Sequence, residues 1–343
     1  MIERSVVRLA TRGSPLALWQ AHRVASLLEG AGTAATLVVV ETEGDRRVDV
    51  PLDRLGGQGV FAKEVQWAVV RGAADAAVHS AKDLPAAPAL GVPELVLAAF
   101  PERADARDVL VGGTVESLPT GSTVATGSAR RRVQLANHRP DLTFTGLRGN
   151  LATRLAAAGA GGAAAVVVAK AAIDRLGWSP PGGLEIEVLE PEMMLPQVGQ
   201  GALAVECRAD DPATRSVLAA VDDPAVGPLV TAERSFLAEL GAGCTLPVGA
   251  LATWADGVDR GSGAAAVPGT ATIRLTGMMA SSDGLVVLRH ALTGARPGAL
   301  GRAVARYLLD EAGGAALGDW LPSTGEGHGD GHGDGGGPSA VVA

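Results

Sequence analysis

Ser5-Val6-Val7-Arg8-Leu9-Ala10-Thr11-Arg12-Gly13-Ser14-Pro15-Leu16-Ala17-Leu18-Trp19-Gln20 decides how the rest of the chain is read. The first seven residues have strand character. Ser14 is an N-cap candidate, and Pro15 suits the first helical position because it has no N–H to leave unpaired. Leu16, Val24, Leu27 and Leu28 then form one apolar helical face, and Gly30 fits the stop. A strand, a polar turn and a helix make the first half of a βαβ unit. Further along, strands are expected at Thr36–Thr42, Ala76–Ser80 and Leu95–Phe100, with a helix over Val60–Val70. The pattern restarts with strands at Val109–Val111, Thr123–Thr126, Leu142–Thr145 and Ala165–Ala169, and helices at Ala129–Asn137 and Asn150–Ala158. Alternation of this kind predicts mostly parallel sheets. Ala202–Cys207 reads as one more strand, followed by helices over Asp211–Val221 and Val226–Leu240. After Gly243 the pattern becomes an antiparallel meander (Thr245–Trp254, Thr272–Ala280 and Leu285–Leu292) with Ser282-Asp283-Gly284 as a hairpin turn and a closing helix over Leu300–Ala312.

Composition narrows the function. The chain has 343 residues and a formal net charge of −8, which argues against a general nucleic-acid binder. Two cysteines exclude a disulfide scaffold and suit a reducing compartment. Neither a leader nor a membrane-spanning segment is expected, so a cytoplasmic location follows. Gly325 to Asp334 alternates Gly with His, Asp and Glu. That composition predicts a solvated tail rather than a metal site.

Four polar constellations fall at expected strand ends. Thr11-Arg12-Gly13-Ser14 joins an arginine to a helix N-terminus, which suits an anion as well as an ordinary cap. Val78-His79-Ser80-Ala81-Lys82-Asp83-Leu84-Pro85 places Ser80, Lys82 and Asp83 in one turn. Asp83 is a candidate acid/base or cation stabiliser, and Lys82 a candidate carboxylate binder or Schiff-base former. From Thr126 to Arg154 there are six arginines (130, 131, 132, 139, 148 and 154) against one acid, Asp141. Arginine forks of this kind pair with carboxylates or phosphates. The stretch has only Phe144 for base stacking, so RNA is disfavoured. Finally, Cys244 lies in the Gly-rich loop Gly241–Gly249 and is the candidate reactive thiol, whereas Cys207 sits within an apolar strand and reads as structural. Neither Gly56–Gly59 nor Gly199-Gln200-Gly201 matches a nucleotide-binding fingerprint.

In order, Ala10-Thr11-Arg12-Gly13-Ser14-Pro15-Leu16-Ala17-Leu18-Trp19-Gln20, Val78–Asp83, Ser128-Ala129-Arg130-Arg131, Leu147-Arg148-Gly149-Asn150, Val198-Gly199-Gln200-Gly201-Ala202 and Gly243-Cys244 resemble the porphobilinogen deaminase (hydroxymethylbilane synthase) family from about Val7 to Leu317. The resemblance implies an α/β fold: two doubly wound domains like type II periplasmic binding proteins, plus a small α+β C-terminal domain with a three-stranded antiparallel sheet. The implied boundaries are 1–102 with 195–221 for a discontinuous domain 1, 103–194 for domain 2, 222–320 for domain 3, and 321–343 for the tail.

The implied reaction is a transfer. Four porphobilinogens join head to tail, each losing ammonia, and hydrolysis frees linear hydroxymethylbilane for tetrapyrrole and heme biosynthesis. The implied cofactor is dipyrromethane, held by a thioether at Cys244. Asp83 is the implied catalytic residue. Lys82, Asp83, Ser80, Thr126, Ser128, Arg130, Arg131, Arg148 and Gly149 are implied to hold the cofactor. Arg12, Ser14, Arg148, Arg154, Arg175 and Gln200 are implied to bind substrate. No metal, nucleic acid or membrane is implied, and the family is monomeric. Gln58 stands where the family commonly has Lys, and Gly127 where Ser is usual, while Arg54–Phe61 is a candidate lid. The alternative reading is a non-catalytic small-anion binder of the periplasmic-binding-protein class.

Overall fold

The computed structural model describes residues 5–42, 62–86, 95–147, 149–158, 162–181, 183–241, 246–255 and 271–317. The strands are β1 (Val6–Arg12), β2 (Ala34–Val40), β3 (Ala76–Ser80), β4 (Leu95–Ala99), β5 (Asp108–Val111), β6 (Thr123–Ala125), β7 (Thr143–Thr145), β8 (Ala165–Ala169), β9 (Ile186–Leu189), β10 (Leu203–Arg208), β11 (Val248–Trp254), β12 (Ile273–Ala280) and β13 (Val287–Gly294). The helices are α1 (Pro15–Gly30), α2 (Lys63–Val70), α3 (Ala129–His138), α4 (Leu151–Ala156), α5 (Lys170–Leu176), α6 (Pro212–Ala219), α7 (Gly227–Leu240) and α8 (Pro297–Arg306).

Among the described residues, two five-stranded sheets have the orders β2-β1-β3-β10-β4 and β7-β6-β8-β5-β9. The second order repeats the first position by position. In each sheet one strand is reversed: β10 is antiparallel to β3 and β4, and β5 is antiparallel to β8 and β9. Four of the five strands in each sheet keep one direction, as the mostly parallel expectation has it, and the single reversed strand makes the sheets mixed. Each reversed strand is the one that follows a passage of the chain from one sheet to the other, so it enters without a helical crossover to fix its direction.

Period-two alternation puts helices on both faces of each sheet. Val7, Leu9, Ala76 and Val78 pack with Val24 and Leu28 of α1 and Leu218 of α6. The intervening Ala10 and Ala77 pack with Val65 and Val69 of α2 on the other side. In the second sheet Leu110, Val124 and Val167 meet Leu135 of α3, while Val109, Val111, Val166 and Val168 meet Leu155 of α4 and Ile173 of α5. This is the doubly wound α/β architecture expected for both halves.

The third sheet, β11-β12-β13, is antiparallel throughout. One face packs Ala250, Ala252, Ile273 and Leu275 against Phe236 of α7 and Val304 of α8. On the other, Met278 and Ala280 meet Val133 of α3 and Leu195. The expected closing helix runs over Pro297–Arg306 and continues as a wider turn over Tyr307–Glu311.

The chain passes between the two large sheets twice, side by side. Arg103 and Ala202 form an isolated antiparallel bridge, the Ala104 amide donates to the Gly201 carbonyl at 3.0 Å, and the Arg103 Nε–H donates to the Gln200 carbonyl at 3.2 Å. Gly201 has φ +86°, and a Cβ there would lie 2.3 Å from the Ala104 carbonyl oxygen. Backbone can yield little, so Gly201→Ala is expected to lower stability by about 3 kcal/mol. A thermal melt should show the loss as a transition lower by several degrees, and a melt like that of the wild type would refute it.

Candidate functional site

The sheet topology carries most of the anticipated residues to strand ends, where doubly wound proteins bind their ligands. Arg12 ends β1, and the Ser14 Oγ caps α1 by accepting from the Ala17 amide at 3.3 Å. Ser80 ends β3 and leads into the tight 3-10 turn Ala81–Asp83. Thr126 and Ser128 follow β6. The Thr126 Oγ1 accepts from the Ser128 amide, and the Ser128 Oγ caps α3 by accepting from the Arg131 amide. Gly149 precedes α4, and its carbonyl accepts from the Arg154 Nε–H at 2.9 Å. Cys244, Arg148, Gln58 and the Arg54–Phe61 segment lie outside the described residues. At Gly127 a Cβ would lie 3.0 Å from the Leu147 carbonyl oxygen, so the departure from the usual Ser relieves a tight approach.

One polar network joins the two large sheets. Asp108, fully buried at the start of β5, accepts from the Arg130 Nη2 at 2.8 Å, the Arg131 Nη2 at 2.7 Å and the Gln200 Nε2 at 2.9 Å. The Lys82 ammonium donates to the Gln200 Oε1 at 3.2 Å. The remaining forks of the two arginines reach the Leu195 and Val167 carbonyls. Gln200 also donates to the Ala106 carbonyl, and Gln197 donates to the Lys82 carbonyl. Lys82, Arg130, Arg131 and Gln200 are thus brought together from β3, α3 and the return passage, with Asp83 beside Lys82.

The electrostatics follow from burial and neighbours. Burial alone would raise the Asp108 carboxyl, but Arg130 and Arg131 hold it well below the usual carboxylate range. Burial pushes the Lys82 ammonium down to about 8; Asp83 and Asp108 oppose this shift, and Arg131 and Arg130 add to it. Among the described residues, three cations, Lys82, Arg130 and Arg131, face two carboxylates, Asp83 and Asp108. The Nε atoms of Arg130 and Arg131 are buried with no hydrogen-bond partner among the described residues. Such a cluster has charge and donors to offer an anion.

Arg175 takes a different place. It is buried at the end of α5, donates to the Gly201 carbonyl at 2.7 Å, and lies 5.5 Å from the centroid of the Trp19 ring of α1. It braces the passage between the sheets rather than joining the Asp108 network. Arg103 and Glu233 complete the junction. The fully buried Glu233 carboxylate accepts from the Arg103 Nη1 at 2.8 Å, the Gly199 amide at 2.7 Å and the Ala252 amide at 2.8 Å, and so ties both passages to the third sheet. Asp108, Gln197, Arg103 and Glu233 were missed in the sequence. The alternating charges of Arg103, Asp105, Arg107 and Asp108 were the available signal. Cys207 is buried, and burial pushes its thiol up to about 11, as suits a structural cysteine.

Among the described residues, no group of three or more His, Cys, Asp or Glu side chains could hold a metal ion, and no helix is long and apolar enough to cross a membrane.

Two family models match this chain: the porphobilinogen deaminase dipyrromethane cofactor-binding domain over residues 7–216, and the porphobilinogen deaminase C-terminal domain over residues 228–310. Among similar proteins, the porphobilinogen deaminase of Acidothermus cellulolyticus is 44% identical over 333 residues, covering 94% of each chain. That of Mycolicibacterium gilvum is 44% identical over 312 residues, covering 89% of this chain and 96% of its own. Among solved structures, the methionine-binding protein MetQ aligns with a TM-score of 0.39 at 13% identity, over 63% of this chain and 90% of its own.

Proposed function

The chain belongs to the porphobilinogen deaminase family, and from that premise we propose how its own residues carry out the family's reaction. The enzyme is a transferase that condenses four porphobilinogens with loss of ammonia and releases hydroxymethylbilane. The observation that supports the site assignment is the Lys82–Gln200–Asp108–Arg130–Arg131 network, a cationic surplus with unfilled donors at the junction of the two large sheets. The relatives favour this reading over the alternative of a non-catalytic anion binder.

Dipyrromethane bears acetate and propionate groups, and these residues fit it. The buried Nε atoms of Arg130 and Arg131 and the Lys82 ammonium are the donors that such carboxylates require. We assign its retention to Lys82, Arg130, Arg131, Ser80, Thr126, Ser128, Arg148 and Gly149, with covalent attachment at Cys244. When bound, it supplies the pyrrole carbon to which the first substrate is joined.

Arg12, Ser14, Arg148, Arg154, Arg175 and Gln200 are assigned to substrate. Gln200 does so from the passage between the sheets and Arg175 from the end of α5, against that passage. Loss of ammonia from the substrate aminomethyl group breaks a C–N bond and leaves a cation conjugated with the pyrrole. Asp83, on its turn beside Lys82, stabilises that cation and holds the pyrrole N–H groups. Its carboxylate also moves the proton that leaves when the aromatic ring is restored. We further propose the boundaries 1–102 with 195–221, 103–194 and 222–320 for three domains, a monomer, and a cytoplasmic location.

The test is direct. Purified protein given porphobilinogen should release ammonia and form hydroxymethylbilane. Its kcat/KM should fall above about pH 8, because Lys82 loses its proton there and a neutral amine no longer attracts a carboxylate. Absence of turnover would reject the function. A profile flat to pH 10 would reject the assignment of Lys82.

A further inference from the structure

Asp108 does no chemistry in this scheme, yet three side chains converge on its carboxylate beside the site. It is fully buried, and its two carboxylate oxygens are shared among three donors from two distant segments: the Arg130 and Arg131 Nη2 atoms from α3 and the Gln200 Nε2 from the return passage. Gln200 is itself fully buried. With its Nε2 committed to Asp108 and the Ala106 carbonyl, its Oε1 is turned toward the Lys82 ammonium at 3.2 Å. An amide side chain has one acceptor end and one donor end, so the choice made at Asp108 fixes the end presented to Lys82.

Resting on the function proposed above, we propose that Asp108 is a positioning residue. It holds the Arg130 and Arg131 guanidinium groups in a common orientation and, through Gln200, sets the Lys82 ammonium beside them, so that one buried carboxylate aligns three cations for an acid-bearing ligand. A purely structural role would require only that the buried arginine charges be balanced. The geometry does more, because the same carboxylate reaches Lys82 through an amide that bridges the two large sheets. Among the described residues, the charged groups facing Lys82 are Asp83 on its own turn, Asp108 on β5, and Arg130 and Arg131 on α3. Removing the Asp108 charge leaves both arginines facing Lys82 uncompensated, and its ammonium then gives up a proton more readily. Simple loosening of the site would expose Lys82 to water and act in the opposite direction.

The experiment uses the full-length protein. Asp108→Asn keeps the shape of the side chain and removes its charge. Folding is followed by circular dichroism, cofactor loading by intact mass, and the titration of Lys82 by the pH dependence of its acylation with an N-hydroxysuccinimide ester, located by peptide mass spectrometry. In folded Asp108→Asn, half-maximal acylation of Lys82 should move to lower pH than in the wild type. The alkaline limb of kcat/KM should move with it, and KM should rise about tenfold or more with a smaller change in kcat. Asp108→Glu, which keeps the charge, should restore the titration toward the wild type. An unchanged Lys82 titration, or one displaced to higher pH, would overturn the proposal. Should Asp108→Asn not accumulate as folded protein, Gln200→Leu cuts the same line while leaving both ion pairs in place. Lys82 should again titrate at lower pH, and a wild-type titration there would also overturn the proposal. Absence of deaminase activity in the wild type would remove the proposed function but leave the Lys82 displacement to be read on its own.

Discussion

Protein made in cells supplied with porphobilinogen is expected to weigh two linked pyrrole units more than its sequence, and Cys244→Ala is expected to lose that excess together with all turnover. The effect is large because the cofactor is a covalent part of the machinery; without an anchoring thiol the growing chain has no fixed end. The second cysteine is a built-in control. Cys207 is fully buried in β10, between β3 and β4, with its thiol pushed up to about 11, so at neutral pH it offers almost no thiolate. Cys207→Ala should therefore keep the added mass. Retention of the excess in Cys244→Ala, or its loss in Cys207→Ala, would assign the anchor to the wrong cysteine.

Asp83→Ala is expected to lower kcat by about 10²- to 10⁴-fold, the range spanned by removal of a positioned acid/base or of a charge that stabilises a transition state. The fold should survive. The turn that carries Asp83 is held by backbone, with the Ala81 amide on the Ala202 carbonyl at 3.0 Å and the Leu84 amide on the Ala81 carbonyl at 3.3 Å. Arg234 of α7 adds a bond of 2.7 Å to the Pro85 carbonyl. None of these uses the Asp83 side chain. Stopped-assay measurement of ammonia and a melt on the same sample separate the two effects. Ammonia release within a few-fold of the wild type would exclude Asp83 from the chemistry.

Much of this fold was legible in the chain because its elements are marked by local physics. Ser14 with Pro15, Ser128 and Asn150 cap helices in the structure through side-chain bonds to backbone amides. The unbroken apolar runs Ala76–Val78 in β3 and Ala165–Ala169 in β8 report two covered faces. Strand direction was not legible. Nothing in the period of Leu203–Arg208 or Asp108–Val111 records that the strand runs against its neighbours, because side chains alternate identically either way. The helix Lys170–Leu176 was also hidden. It follows β8 without a side-chain cap at Ala169, and its alanines blend with the strand into one apolar run. β9 was missed for a related reason: Ile186–Leu189 is only four residues long and is interrupted by Glu187.

The site divides in the same way. Lys82, Arg130 and Arg131 were visible because local sequence clusters charge. Asp108 was not, since its partners lie 22, 23 and 92 residues away in the chain. A hub of this sort is made by tertiary structure alone.

The placement of β10 between β3 and β4 also sets an order of assembly during synthesis. β4 is paired only with β10 among the described strands, and β10 lies more than a hundred residues later. As the chain leaves the ribosome, Leu95–Ala99 has an unsatisfied edge until Leu203–Arg208 emerges. By then β5 to β9, the whole of the second sheet, has already been made. Domains tend to fold as units as they appear, and long-range strand pairing is slow. The second sheet can therefore close first, and the sheet that begins the sequence is the later of the two to be completed.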